Sequence, residues 1–180
     1  YGREDHSWDL RDYVLEPDHS GGYMLGRRKL WRRGPDRFVA LRTEMVDLQV
    51  GTLARGRGEG PFYIHSYTAQ GHTFRGQVLG ADVGNGGAGA TVAVDYYYPG
   101  GRWTAAWSRV LRQGAGEYWR NGVVNSRGLD VVHALTAEGL VFRGPFDVTG
   151  RITGAYEFNR DFQHDAFNLN LMLRVRAAFK

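Results

Sequence analysis

The sequence predicts an all-β fold, an antiparallel up-and-down transmembrane β-barrel of which this chain supplies about seven or eight strands. Three observations predict it. Seven segments alternate apolar and polar residues with a period of two, which puts one kind of side chain on each face of a strand. The segments run 9 to 14 residues, whereas strands of soluble sandwiches usually run about 5 to 6; the greater length suits a tilted strand that crosses a bilayer. Aromatic residues gather at segment ends, at Tyr96 and Tyr98, Trp103 and Trp107, and Phe179, in the manner of an interfacial girdle.

In chain order the segments are 22–32, 37–49, 90–98, 102–112, 129–137, 147–158 and 166–179. The first two are joined by RGPD at 33–36. In 90–98, Val92, Val94, Tyr96 and Tyr98 oppose Thr91, Ala93, Asp95 and Tyr97. The turn PGG at 99–101 leads into 102–112, where Arg109 falls on the apolar face and needs a bulge or a place near lipid headgroups. In 147–158, Val148, Ile152, Tyr156 and Phe158 share one face, and Asp147, Thr149, Arg151, Thr153 and Glu157 share the other. The last segment is the clearest: Phe167, Leu169, Leu171, Leu173, Val175, Ala177 and Phe179 form an apolar row opposite Asn168, Asn170, Met172, Arg174 and Arg176. Glycine-rich stretches at 51–60, 80–89 and 113–128 punctuate these segments, and no sustained helical period is seen.

Connection lengths give an independent test, because outer-membrane barrels pair short periplasmic turns with longer external loops. With the final strand ending on the periplasmic side, 33–36, 99–101 and 138–146 become periplasmic, and 50–89, 113–128 and 159–165 become external. The parity requires 50–89 to contribute no spanning strand, so it is expected as a long external or lumen-filling loop of a single barrel domain covering 1–180. Seven strands do not close a barrel of this class, and lipid cannot satisfy an open sheet edge. The chain is therefore expected to be the C-terminal part of a larger barrel, with its last strand as the element met by the outer-membrane insertion machinery.

Composition is compatible with this. No stretch approaches 18 apolar residues, so no transmembrane helix is expected. The chain has no cysteine, hence no disulfide framework and no thiolate. Its net charge of +4 is carried by Arg, since only Lys29 and Lys180 are Lys. Arg presents a planar fork that suits carboxylate or phosphate; a genome rich in G and C would give the same bias.

Residues 61–80 read PFYIHSYTAQGHTFRGQVLG, with Tyr63, His65 and Tyr67 spaced by one, followed by Gly71, Arg75, Gly76, Leu79 and Gly80. This run resembles the capsule-assembly Wzi family of outer-membrane proteins. Support comes from LEPDHSGGYMLG at 15–26 and AYEFNRDFQHDAFNLNLMLRV at 155–175. The family often carries Tyr after the first glycine and His after the last, where this chain has His72 and Ala81. The resemblance implies a barrel of about eighteen strands in the bacterial outer membrane. It implies a non-enzymatic role in binding and anchoring capsular polysaccharide at the cell surface, with outer-membrane lipid as surroundings, no cofactor and no nucleic-acid partner.

Two sets of residues could carry such binding. Tyr63, His65, Tyr67, His72 and Arg75 offer rings that stack on sugar faces and a guanidinium for uronate carboxylates; the alternative is that the aromatics pack the loop while the glycines form its turns. Arg151, Glu157, Arg174 and Arg176 are expected on the lumen face, either selecting an acidic polymer or pairing with one another. The GNGGAG match at 84–89 leads into a strand and not a helix, which excludes a dinucleotide site. The six His residues never take metal-ligand spacing. Ser66 beside His65 is the only local hint of a barrel phospholipase. A general porin is the main alternative, distinguished by large open conductance; a soluble lipocalin-like binder would remain in the aqueous phase without detergent.

Overall fold

The computed structural model describes residues 2–3, 10–15, 21–49, 51, 63, 73–74, 77–78, 80–84, 86–112, 129–160 and 163–177. The elements are β1 (Gly2–Arg3), α1 (Leu10–Leu15), β2 (Gly21–Gly34), β3 (Arg37–Asp47), β4 (Thr73–Phe74), β5 (Gln77–Val78), β6 (Ala88–Tyr98), β7 (Gly101–Arg112), β8 (Asp130–Arg143), β9 (Phe146–Arg160) and β10 (His164–Ala177). The fold is all-β. Seven long strands form one antiparallel sheet in the order β2-β3-β6-β7-β8-β9-β10, and β1 pairs with the start of β2. Among the described residues the sheet does not close, because β1–β2 and β10 stand at its opposite edges. The short hairpin β4–β5 is separate from that sheet.

All seven alternating segments are strands, and the differences lie at their ends. β8 runs six residues past the expected limit of 137, so the connection expected at 138–146 shrinks to a turn at Gly144 and Pro145. Gly139 looks like a strand breaker in the sequence. In the structure its bare Cα receives the indole ring of Trp103, and a Cβ there would collide with that ring. The six-residue α1 is the other departure, too short to show a helical period. No helix of the described residues is long and apolar enough to cross a membrane, which says nothing of strands.

Two compact units are present. One comprises Tyr1–Leu25, Met45–Gly89 and Val110–Asp130. Its core is the cluster Val46, Leu48 and Val83, against which Tyr63, Ala81 and Val110 pack. The Leu48 amide donates to the Gly87 carbonyl at 2.9 Å beside this cluster.

The other unit comprises Gly26–Glu44, Ala90–Arg109 and Val131–Lys180. It is built differently. Among its described residues the buried apolar side chains are Ala40 and Ala93, while the buried polar ones are Asp95 and Glu138. Along β6 the alternation is inverted relative to a water-soluble sheet, with Ala93 and Asp95 covered and Val92 and Val94 exposed. On β10, Phe167, Leu169, Leu171, Leu173 and Val175 are between 54% and 76% exposed. Fully withdrawing each from water is worth about 1.5–3 kcal/mol, so the row is left without most of that stabilisation by the described protein. The polar face of β10 is exposed as well, at Asn168, Asn170, Arg174 and Arg176.

The β8–β9 and β9–β10 pairings fix which residues share a face. Glu138 lies opposite Arg151, Thr136 opposite Thr153, and Ile152 opposite Leu171. Pairing of β10 with β9 is irregular between His164 and Ala166. There the Asp165 carboxylate accepts from the Asn159 amide at 2.8 Å and from the Tyr156 hydroxyl at 3.2 Å. Asn159 takes a left-handed φ of 54°, a conformation that asparagine tolerates better than most residues.

Candidate functional site

Five charged residues of the second unit, Arg42, Asp95, Arg102, Glu138 and Arg151, meet on the polar face of the sheet, where neighbouring strands bring their side chains within hydrogen-bond reach. The carboxylate of Asp95, on β6, is fully buried. Arg42, on β3, grips it with both ends of its fork, Nε to Oδ2 at 2.6 Å and Nη2 to Oδ1 at 3.0 Å. From the other flank, Thr104 on β7 donates its hydroxyl to Oδ1 at 2.7 Å. Such a bidentate, charge-assisted pair fixes the guanidinium plane as well as its position.

A second ion cluster follows on the next strands. Glu138, on β8, accepts from Arg102 of β7 through Oε1 at 2.5 Å, and from Arg151 of β9 through Oε2 at 2.8 and 2.5 Å. Its side chain is 8% exposed, while those of Arg102, Arg42 and Arg151 are 31%, 45% and 46% exposed. The arrangement is asymmetric: the two acids are covered and the three cations still meet solvent. Two carboxylates thus orient three guanidiniums, whose outer edges can take further acceptors. Thr136 and Thr153 hydrogen-bond to each other at 2.9 Å on the same face, and Arg28 donates to the Tyr97 hydroxyl at 3.4 Å.

Of the lumen residues expected from sequence, Arg151 belongs to this cluster. Glu157 lies 3.7 Å from Arg160 of its own strand and opposite Ala166. Arg174 and Arg176 are exposed on β10, opposite Thr149 and Asp147, and are not part of the Glu138 cluster. Asp95, Arg42, Thr104, Arg102 and Glu138 are the partners that sequence reasoning missed. For Arg42, Asp95 and Thr104 the available signal was a charge or hydroxyl inside an alternating segment; Arg102 opens its segment and Glu138 fell in the expected connection at 138–146. Which of them would meet depends on cross-strand register, which alternation does not give.

In the loop motif, Tyr63 is half-buried. Its ring lies over Gly80, where a Cβ would collide with it, and its hydroxyl accepts from the Ala81 amide at 3.3 Å. The backbone of Tyr63 is left-handed at φ 69°, an uncommon and strained setting for a bulky residue. Tyr63 therefore joins 63 to 80–81 beside the Val46 cluster. His65, Tyr67, His72 and Arg75, together with Ser66, lie outside the described residues, as does Phe179. Among the described residues no group of three or more His, Asp and Glu side chains could hold a metal ion. No family model, curated protein or solved structure matches the chain.

Proposed function

We propose that this chain is a section of an outer-membrane β-barrel wall, and that the barrel binds an acidic capsular polysaccharide and anchors it at the bacterial surface without catalysing a reaction. The observation that carries the membrane part is the inverted burial of the second unit: Asp95 and Glu138 are covered while the Phe167 to Val175 row is bare. Hydrocarbon is the surrounding that makes such a face favourable, and exposed apolar patches of this extent mark membrane or partner contacts in general. Because lipid leaves the backbone groups of β2 and β10 unsatisfied at the sheet edges, further strands complete the wall.

The polysaccharide part rests on the Wzi-like run at 61–80 and on the Arg-rich polar face. Arg42, Arg102 and Arg151 are held by buried acids and keep exposed edges, a setting suited to carboxylates of a uronic acid polymer. The porin reading draws on exposed Arg174 and Arg176, which would suit a water-filled interior.

One experiment separates these readings. The protein is reconstituted into vesicles, washed at alkaline pH, and tested for binding to a glucuronate-containing polysaccharide and to neutral dextran. Retention in the vesicles, binding of the acidic polymer alone, and weakening in high salt or in Arg75→Ala are expected. Release by the wash overturns the membrane reading. Retention with unchanged binding in Arg75→Ala counts against this motif as the sugar site, and retention with large conductance and no polymer binding favours the porin.

A further inference from the structure

The outward, apolar face of the second unit is not flat. Two open depressions share Ala137 and Ile152 and so run into one another along the strands. Their floor is lowest at Ala105, Ala137 and Gly150, which contribute little or no side chain, whereas the ring of Trp103 covers Gly139 and that of Phe167 lies against Gly154. Larger side chains rim it, among them Trp103, Leu135, Leu169 and Leu171.

The groove has a polar end. Trp107 stands there with the His133 ring 5.8 Å away, and His133 meets Phe158 edge-on at 5.9 Å. Phe158 in turn packs on Tyr156 at 4.6 Å. Arg109 lies on the same face of β7 as Trp107, two residues along, hence about 7 Å beyond it. A guanidinium beyond an aromatic cluster, with an apolar groove before it, matches the chemical order of a lipid: phosphate, interface, hydrocarbon.

The dimensions agree. Leu135 and Val141 of β8 line opposite ends of the groove; six residues of strand cover about 20 Å. At a tilt of about 45° this is about 14 Å of depth, close to one leaflet of a hydrocarbon core about 30 Å thick. We propose that the groove is a binding site for one phospholipid with an anionic headgroup, its acyl chain lying over Ala105, Ala137 and Gly150 and its phosphate held by Arg109 and His133. The proposal rests on the membrane reading above and adds to it a specific outer site, separate from the polysaccharide face.

The test uses the full chain reconstituted into mixed vesicles of phosphatidylglycerol and phosphatidylcholine, then extracted in mild detergent for native mass spectrometry. Two variants are compared with the parent. Gly150→Leu fills the groove at a position where a Cβ meets nothing within 4 Å, so it is accommodated without a clash. The double variant Arg109→Ala with His133→Ala removes the headgroup contacts.

The parent is expected to retain one phosphatidylglycerol in preference to phosphatidylcholine. The double variant is expected to lose that preference roughly tenfold, and Gly150→Leu to lose the bound lipid. Equal retention in all three proteins, with the vesicle association intact, overturns this proposal alone. A dimer seen in the parent and lost in Gly150→Leu also overturns it, because a second copy would then be the occupant. Failure of the parent to associate with vesicles overturns both this proposal and the membrane reading.

Discussion

Glu138 shows how much a single acid can organise. Arg102 approaches from β7 and Arg151 from β9, so the carboxylate holds two like charges that would otherwise repel across three strands. Changing Glu138→Gln keeps the shape and removes the counter-charge. Breaking a fully buried pair costs about 3–5 kcal/mol, but both guanidiniums here reach solvent, so a loss of about 1–3 kcal/mol is expected. A lowered urea midpoint of the reconstituted protein measures it, and an unchanged midpoint would show that the cluster is energetically idle. The face on which Arg151, Glu157, Arg174 and Arg176 stand was legible, because period two alone assigns it. That Arg42, Asp95 and Thr104 converge was not legible, since their meeting depends on how three separate strands align. The Tyr63 contact with Gly80 and Ala81 was hidden for a similar reason, being made across a loop by a residue in a backbone region that sequence patterns do not forecast.

At the level of elements, β10 was the most legible strand because its alternation is unbroken from Phe167 to Val175, and β8 the least because Gly139 interrupts the pattern. The glycine is there for its neighbour: Trp103 occupies the space a side chain would fill. Gly139→Val adds β-branching, which favours a strand, yet it collides with the indole. Overpacking of this kind typically costs about 1–3 kcal/mol. The variant is expected to unfold at lower urea and to shift tryptophan emission as Trp103 is displaced; a more stable variant with unshifted emission would refute the contact. Missing the second half of β8 also hid Glu138, so one misread boundary removed the acid at the centre of the site.

At the scale of the whole molecule, the decisive contrast lies within the second unit, between a polar side that holds Asp95 and Glu138 under cover and an apolar side that shows its largest residues. The period of the strands was legible in the sequence, but the chain's separation into two compact units was not, because that depends on contacts among residues far apart in the chain. If the apolar side faces lipid, a charge placed there will be felt according to depth. Leu171 lies mid-strand opposite Ile152, so Leu171→Arg is expected to lower the stability in bilayers by about 2–4 kcal/mol, whereas Asn170→Arg on the other side should change it little. Equal effects of the two substitutions would place both sides in the same medium. The irregular pairing beside Asp165 bears on how the β9–β10 hairpin keeps its register. Sliding β10 by one residue along β9 would exchange its two rows, moving Arg174 and Arg176 to the apolar face of the sheet and the Phe167 to Val175 row to the polar one. The Asp165 carboxylate, tied to Asn159 and Tyr156 across the hairpin, acts as a notch that this slipped frame does not fit, so these bonds favour the observed frame over the slipped one.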